Sequence, residues 1–152
     1  MKRRIVALFM GGCFLAGCLI PEGQRTGNRP ADDGRPEKVT LETTGYCSCG
    51  SCCGWRRNWR FQPVYASGNL KGRPKEVGVT ASGSRARHGT IAADTDMFPF
   101  GTMMEVPGYG SGVVEDRGSA IRGRHIDLYF ASHRQALEWG RKTVTVTVWR
   151  HQ

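Results

Sequence analysis

The sequence predicts an all-β domain of short strands with one short helix near its C-terminus. Three observations carry this expectation. Alternating or β-branched runs recur at residues 39–46, 90–93, 112–116, 124–130 and 143–149. Twenty-one glycines and seven prolines punctuate the chain with turns. Only residues 131–140 read as a capped helix: Ser132 is placed for the N-cap and Gly140 for the C-cap, with Ala136, Leu137 and Trp139 expected to pack and Glu138 to face water. A chain of 152 residues bounds the fold to one domain with appendages.

The first appendage is a targeting segment. Lys2, Arg3 and Arg4 form a positive start, and residues 5–15 form an apolar run too short to span a bilayer. Leu15, Ala16, Gly17 and Cys18 then resemble a bacterial lipobox. The resemblance implies a signal peptide over 1–17 and a lipidated Cys18 that joins the protein to a membrane, with Leu19 pointing to the outer membrane. The alternative is an ordinary secretory signal or an uncleaved anchor. Residues 18–38 carry Pro21, Gly23, Gly27, Pro30, Gly34 and Pro36 without apolar periodicity and read as a flexible tether. The folded domain is expected over 39–152.

The first strand, 39–46, runs into Cys47, Cys49, Cys52 and Cys53. In an exported protein the expectation is two disulfides among these four, in any of three connectivities. The C-x-C and C-x-x-C spacings are also those of a metal clamp, and reactive thiols are a third reading. No metal and no cofactor is assigned. Residues 55–61 mix Trp55, Trp59 and Phe61 with arginines. Their rings either stack on a sugar face or enter the core with the arginines outside. Residues 62–76 read as an excursion, and Arg85 to Gly89, including His88, as a basic solvated turn.

Three carboxylates organise the second half. Asp94 ends the run 90–93, Asp116 ends 112–115, and Asp127 lies inside 124–130. Rigid strands that bring separated acids together make an acid/base site, whereas three surface aspartates would be solvated or turn-forming. Around them stand Pro99, Gly101 and Thr102, then Gly108 and Gly110, then Gly118, Ala120, Ile121 and Gly123, and finally Ile126, Ala136, Trp139 and Gly140. This pattern, over roughly 77–149, resembles the bacterial three-aspartate (3D) domain of cell-wall proteins and of the catalytic barrel of membrane-bound lytic transglycosylase A. Upstream, Thr44-Gly45-Tyr46 and Gly78-Val79-Thr80-Ala81-Ser82-Gly83 fit two further segments of that pattern.

The resemblance implies a six-stranded double-psi β-barrel and cleavage of the β-1,4 link between N-acetylmuramic acid and N-acetylglucosamine. Asp127 would then be the acid/base, its pKa raised by burial or a neighbouring anion. Asp116 and Asp94 are the expected neighbours, or else brace the loops. Tyr46, Thr80, Gly118, Ala120 and Gly123 are the expected cleft residues, Thr80 by hydrogen bonding to substrate or acid. Arg117 and Arg122 depart from the pattern and would meet muramyl or peptide carboxylates. A wall-binding or expansin-like module without activity is the alternative, since a fold does not fix a function. The formal charge of +9 suits an anionic polymer such as the cell wall. No nucleic-acid-binding motif accompanies it, and nucleic acid is not an expected partner. The expected location is the bacterial cell envelope, on the periplasmic side.

Overall fold

A computed structural model describes residues 35–150. The expected signal peptide, Cys18 and the tether up to residue 34 lie outside the described residues. Eight strands and two helices follow in order: β1 (Glu37–Tyr46), α1 (Gly50–Cys53), β2 (Trp55–Arg57), β3 (Pro63–Tyr65), β4 (Thr90–Ala93), β5 (Met103–Val106), β6 (Gly110–Asp116), β7 (His125–Tyr129), α2 (His133–Trp139) and β8 (Lys142–Trp149). Six of the strands close a barrel in the order β1-β7-β4-β6-β5-β8, while β2 and β3 form a separate hairpin.

The barrel is the expected six-stranded one. Its pairings β1–β7 and β4–β6 are parallel and the other four antiparallel. Parallel neighbours cannot be joined by a tight turn, so the chain must cross over between them. That crossing lets distant segments of sequence lie side by side.

Alternation selects the interior. Val39 and Leu41 of β1, Met104 and Val106 of β5, Ile126 and Leu128 of β7, and Val146 and Val148 of β8 point into one core with Phe98. Thr43 continues the inward series of β1 and is fully buried. Its hydroxyl donates to the Lys142 carbonyl at 3.0 Å and accepts from the Trp139 indole at 3.2 Å, which removes the penalty of a buried polar group.

α2 lies across β1. Ser132 caps it by accepting from the Gln135 amide, and Gly140 ends it at φ 67°, both as expected. Gly45 makes the approach possible: a Cβ there would stand 2.8 Å from the Ala136 carbonyl oxygen and 3.1 Å from Phe130. Ala136 is buried and Trp139 packs against Phe130 and Tyr109. Leu137 does not pack; it is 67 % exposed, because a helix this short turns only one face to the barrel.

After α1 comes the β2–β3 hairpin, whose second strand opens the excursion over residues 62–76. At its tip Trp59 and Phe61 are 81 % and 76 % exposed, so their rings do not enter the core. The Arg60 guanidinium lies 4.4 Å from the Trp59 ring centre. Phe61 adopts φ 59°, a left-handed turn conformation. Asn58 stabilises that turn, its side-chain oxygen accepting from the Arg60 and Gln62 amides.

Candidate active site

The outer face of the sheet around β4 carries the site. Ile91 and Ala93 point into the core, so Ala92 between them points out. It packs against Tyr46 of β1 and Tyr129 of β7, and these three form a small apolar floor. On one side Ala92 is the register partner of Asp127 on β7; on the other it is the partner of Asp116 on β6. The two acids therefore flank one small residue on the same face, two strand spacings or about 10 Å apart at the backbone.

Asp116 reaches that face through a bulge. Ile91 pairs with Val114, yet the next residue, Ala92, pairs with Asp116. Val114 is in the core, so strict alternation would send Asp116 inward as well. The extra residue, Glu115, resets the alternation. Glu115 itself accepts from the buried Thr90 hydroxyl at 2.8 Å and pairs with Arg87 at 3.3 Å.

Above this floor lies a cavity of about 850 Å³, within the size range of small-molecule and glycan clefts. Tyr46, Thr80, Asp116, Gly118, Ala120 and Asp127 all line it. The excursion supplies another wall through Tyr65, Lys75 and Glu76, and Arg117 opens onto the cavity as well.

The two acids are held differently. Three donors converge on Asp116: the Ala81 amide at 3.0 Å, the Arg117 amide at 2.9 Å and the Tyr46 hydroxyl at 3.1 Å. Burial, with the Asp116 carboxylate next, pushes the Tyr46 phenol far above its ordinary range, so it remains a donor. Asp127 accepts one hydrogen bond, from the Thr44 hydroxyl at 2.9 Å. Burial pushes its pKa up, and Asp116 adds to this. The Thr44 hydrogen bond, His125 and Arg141 oppose it without overcoming it. Thr44 also meets His125 Nε2 at 2.9 Å. A hydroxyl has one proton; while Thr44 gives it to Asp127, the His125 ring must donate to Thr44. Glu42 lies 4.0 Å from the same ring nitrogen and is paired with Arg141.

Two of the expected site residues, Asp94 and Gly123, lie outside the cavity lining. The Asp94 carboxylate accepts from the Gly123 amide at 2.8 Å and the Asp96 amide at 3.2 Å, and Arg122 stands 3.7 Å away. The Gly123 hydrogen bond leads in lowering its pKa. Asp94 follows the last residue of β4 and turns away to brace the 118–123 loop, taking Gly123 and Arg122 with it. Thr80 lines the cavity, but its hydroxyl bonds Ser82 and Ser84 at 3.0 and 2.9 Å; it is the following backbone amide that reaches Asp116.

Cys47, Cys49, Cys52 and Cys53 are free thiols. Cys47 and Cys52 Sγ lie 3.7 Å apart, against about 2.05 Å for a disulfide. The expected disulfides are not formed; His133 Nδ1 of α2 instead lies 3.4 to 4.0 Å from the sulfurs of Cys52, Cys49 and Cys47. Sequence reading missed Thr44, His125 and His133 as site residues. The first two become visible only from the β1–β7 register, the third only from the placement of α2.

Residues 89–150 match the family of the 3D domain. The chain is 33% identical over 112 residues to YabE of Bacillus subtilis, a protein named for cell wall shaping, covering 72% of this chain and 22% of that one. It is 40% identical over 75 residues to the cell wall-binding protein YocH of Bacillus subtilis, covering 47% and 26%. The chain thus spans about a quarter of the length of these relatives. Among solved structures, E. coli MltA superposes with a TM-score of 0.41 at 23% identity over 53% of this chain and 30% of that chain. An apo form of an E. coli lytic transglycosylase MltA variant gives 0.40 at 24% identity over 48% and 27%.

Proposed function

From a chain that carries a 3D domain at residues 89–150, we propose that this protein is a lytic transglycosylase that cleaves peptidoglycan glycan strands in the bacterial envelope. One observation carries the reading: Asp127, with its pKa raised by burial, faces a cavity of about 850 Å³ beside an Asp116 that is fixed by three donors.

Asp127 enters the reaction protonated. Its O–H donates to the glycosidic oxygen between the muramyl and glucosaminyl rings as the C1–O bond breaks. The muramyl C6 hydroxyl then bonds to C1, and Asp127 takes its proton back. The product is a 1,6-anhydromuramyl end, and the acid is restored without an external water. Asp116 holds negative charge near the cationic C1 centre, with Tyr46 setting its orientation. Thr44 fixes the Asp127 rotamer. Arg117 and Lys75 supply positive charge for the muramyl carboxylate, and Gly118 and Ala120 leave room for the ring. A lipidated Cys18 and the tether would hold the barrel at the membrane within reach of the wall.

The test is digestion of purified peptidoglycan, with mass spectrometry of the released fragments, beside Asp127→Asn. Anhydromuramyl fragments from the parent alone support the proposal. Reducing-end fragments mean hydrolysis, with a water taking the place of the C6 hydroxyl. A second reading, a wall-binding module, is favoured by the exposed Trp59 and Phe61 at the hairpin tip and by the name of the relative YocH. No release of fragments, with retention on insoluble wall that Trp59→Ala weakens, supports that reading instead.

A further inference from the structure

The geometry points to a closed zinc site formed by Cys47, Cys49, Cys52 and His133. One potential ligand atom from each of these residues lies within 4.8 Å of the other three. His133 Nδ1 stands 3.4 Å from Cys52 Sγ, 3.6 Å from Cys49 Sγ and 4.0 Å from Cys47 Sγ, and Cys47 and Cys52 Sγ are 3.7 Å apart. A tetrahedral zinc with Zn–S of about 2.3 Å and Zn–N of about 2.05 Å sets its ligands about 3.8 Å apart for sulfur to sulfur and about 3.5 Å for sulfur to nitrogen. Four of the six edges between these atoms are thus close to those of that tetrahedron, and the remaining two, from Cys49 Sγ to the other sulfurs, are within 4.8 Å. Disulfide chemistry uses sulfurs in pairs and gives no part to a ring nitrogen shared by three of them.

The fold explains why these ligands meet. β1 and β7 run parallel and end side by side, with Tyr46 opposite Tyr129 and the Phe130 amide donating to the Tyr46 carbonyl at 2.7 Å. The chain leaving β1 reaches Cys47 at once, and the chain leaving β7 reaches His133 within one turn. The cysteine loop is tightly built. The Trp55 indole donates to the Ser48 carbonyl at 2.9 Å, and a Cβ on Gly50 would meet the Trp55 carbonyl oxygen at 2.4 Å. Cys53 is not a ligand; its thiol donates to the Cys47 carbonyl at 3.2 Å and packs toward the Tyr46–Ala92–Tyr129 floor.

Three thiolates and one neutral imidazole fill all four positions of a tetrahedral zinc, leaving none for substrate, so the site is structural. On binding, each coordinating thiol releases its proton and His133 keeps its own on Nε2. The metal ties the loop that supplies Ser48, Cys52 and Cys53 to the cavity wall onto the start of α2.

The test is the metal content of the full chain purified without chelator, together with Co²⁺ added to metal-stripped protein. One zinc per chain, lost in Cys49→Ser and His133→Asn and kept in Cys53→Ser, supports the site. So does a near-ultraviolet thiolate-to-cobalt band with tetrahedral visible bands. Should the substituted chains misfold by circular dichroism, the cobalt titration of the unsubstituted chain decides. Absence of bound zinc and of any cobalt spectrum overturns the site, as does intact mass showing the cysteines joined in disulfides. Undiminished zinc in both Cys49→Ser and His133→Asn also overturns it. These readouts do not depend on glycan cleavage.

Discussion

Thr44 and Asp127 are register partners across the parallel β1–β7 pairing, and the Thr44 hydroxyl donates to Asp127 Oδ1 at 2.9 Å. This hydrogen bond favours the ionised carboxylate and so works against burial. In Thr44→Val, which keeps the shape, Asp127 holds its proton to higher pH. The alkaline limb of the kcat/KM profile for glycan cleavage moves upward, by up to about one pH unit for one hydrogen bond of about 1 kcal/mol. A limb that stays put or moves down would separate Thr44 from the acid.

Asp127 also links activity to stability. Its folded pKa is raised, so the native state holds this proton more tightly than the unfolded chain does. Stability from that proton is present below the ordinary Asp value of about 3.9 and is lost as pH rises through the raised one. Asp127→Asn carries no such charge. It loses cleavage by about 10²- to 10⁴-fold, the scale of one general acid, while its melting temperature exceeds the parent's at neutral pH. The two melting temperatures converge below about pH 4. Equal melting temperatures at neutral pH contradict the burial argument.

Asp94 carries the opposite sign. The Gly123 amide leads in lowering its pKa, so its contribution is present above the ordinary carboxylate value and is lost as pH falls through the lowered one. Asp94→Ala leaves the Gly123 and Asp96 amides without their acceptor. It melts earlier than the parent at neutral pH, and the gap narrows on acidification. The alkaline limb of its cleavage profile stays where Asp127 sets it, and displacement of that limb would bring Asp94 back into the chemistry.

Gly45 is required by contact. A Cβ there stands 2.8 Å from the Ala136 carbonyl oxygen, backbone that cannot rotate away. Gly45→Ala pushes α2 off β1 and destabilises the fold by about 1–3 kcal/mol, measured by urea denaturation. A change of less than about 0.5 kcal/mol, the scale of an inconsequential surface substitution, would mean that α2 is loosely docked.

The strands, the capped helix and the acid-bearing segments were legible because each rests on local pattern. Val39, Leu41 and Thr43 alternate inward wherever the strand is placed, and Ser132 and Gly140 cap a helix through their own backbone geometry. The sequence by itself thus determined an all-β chain in which Asp116 and Asp127 end or occupy strands. The tertiary structure decided which acids share a face. The bulge at Glu115 turns Asp116 toward Ala92 and Asp127, whereas Asp94, one residue past β4, turns away to hold Gly123. It likewise decided the partners of the cysteines, since His133 is remote in sequence and arrives only through the parallel β1–β7 crossing. A pattern of residues records which side chains alternate along one strand. Register between distant strands depends on closure of the barrel, which no single segment encodes.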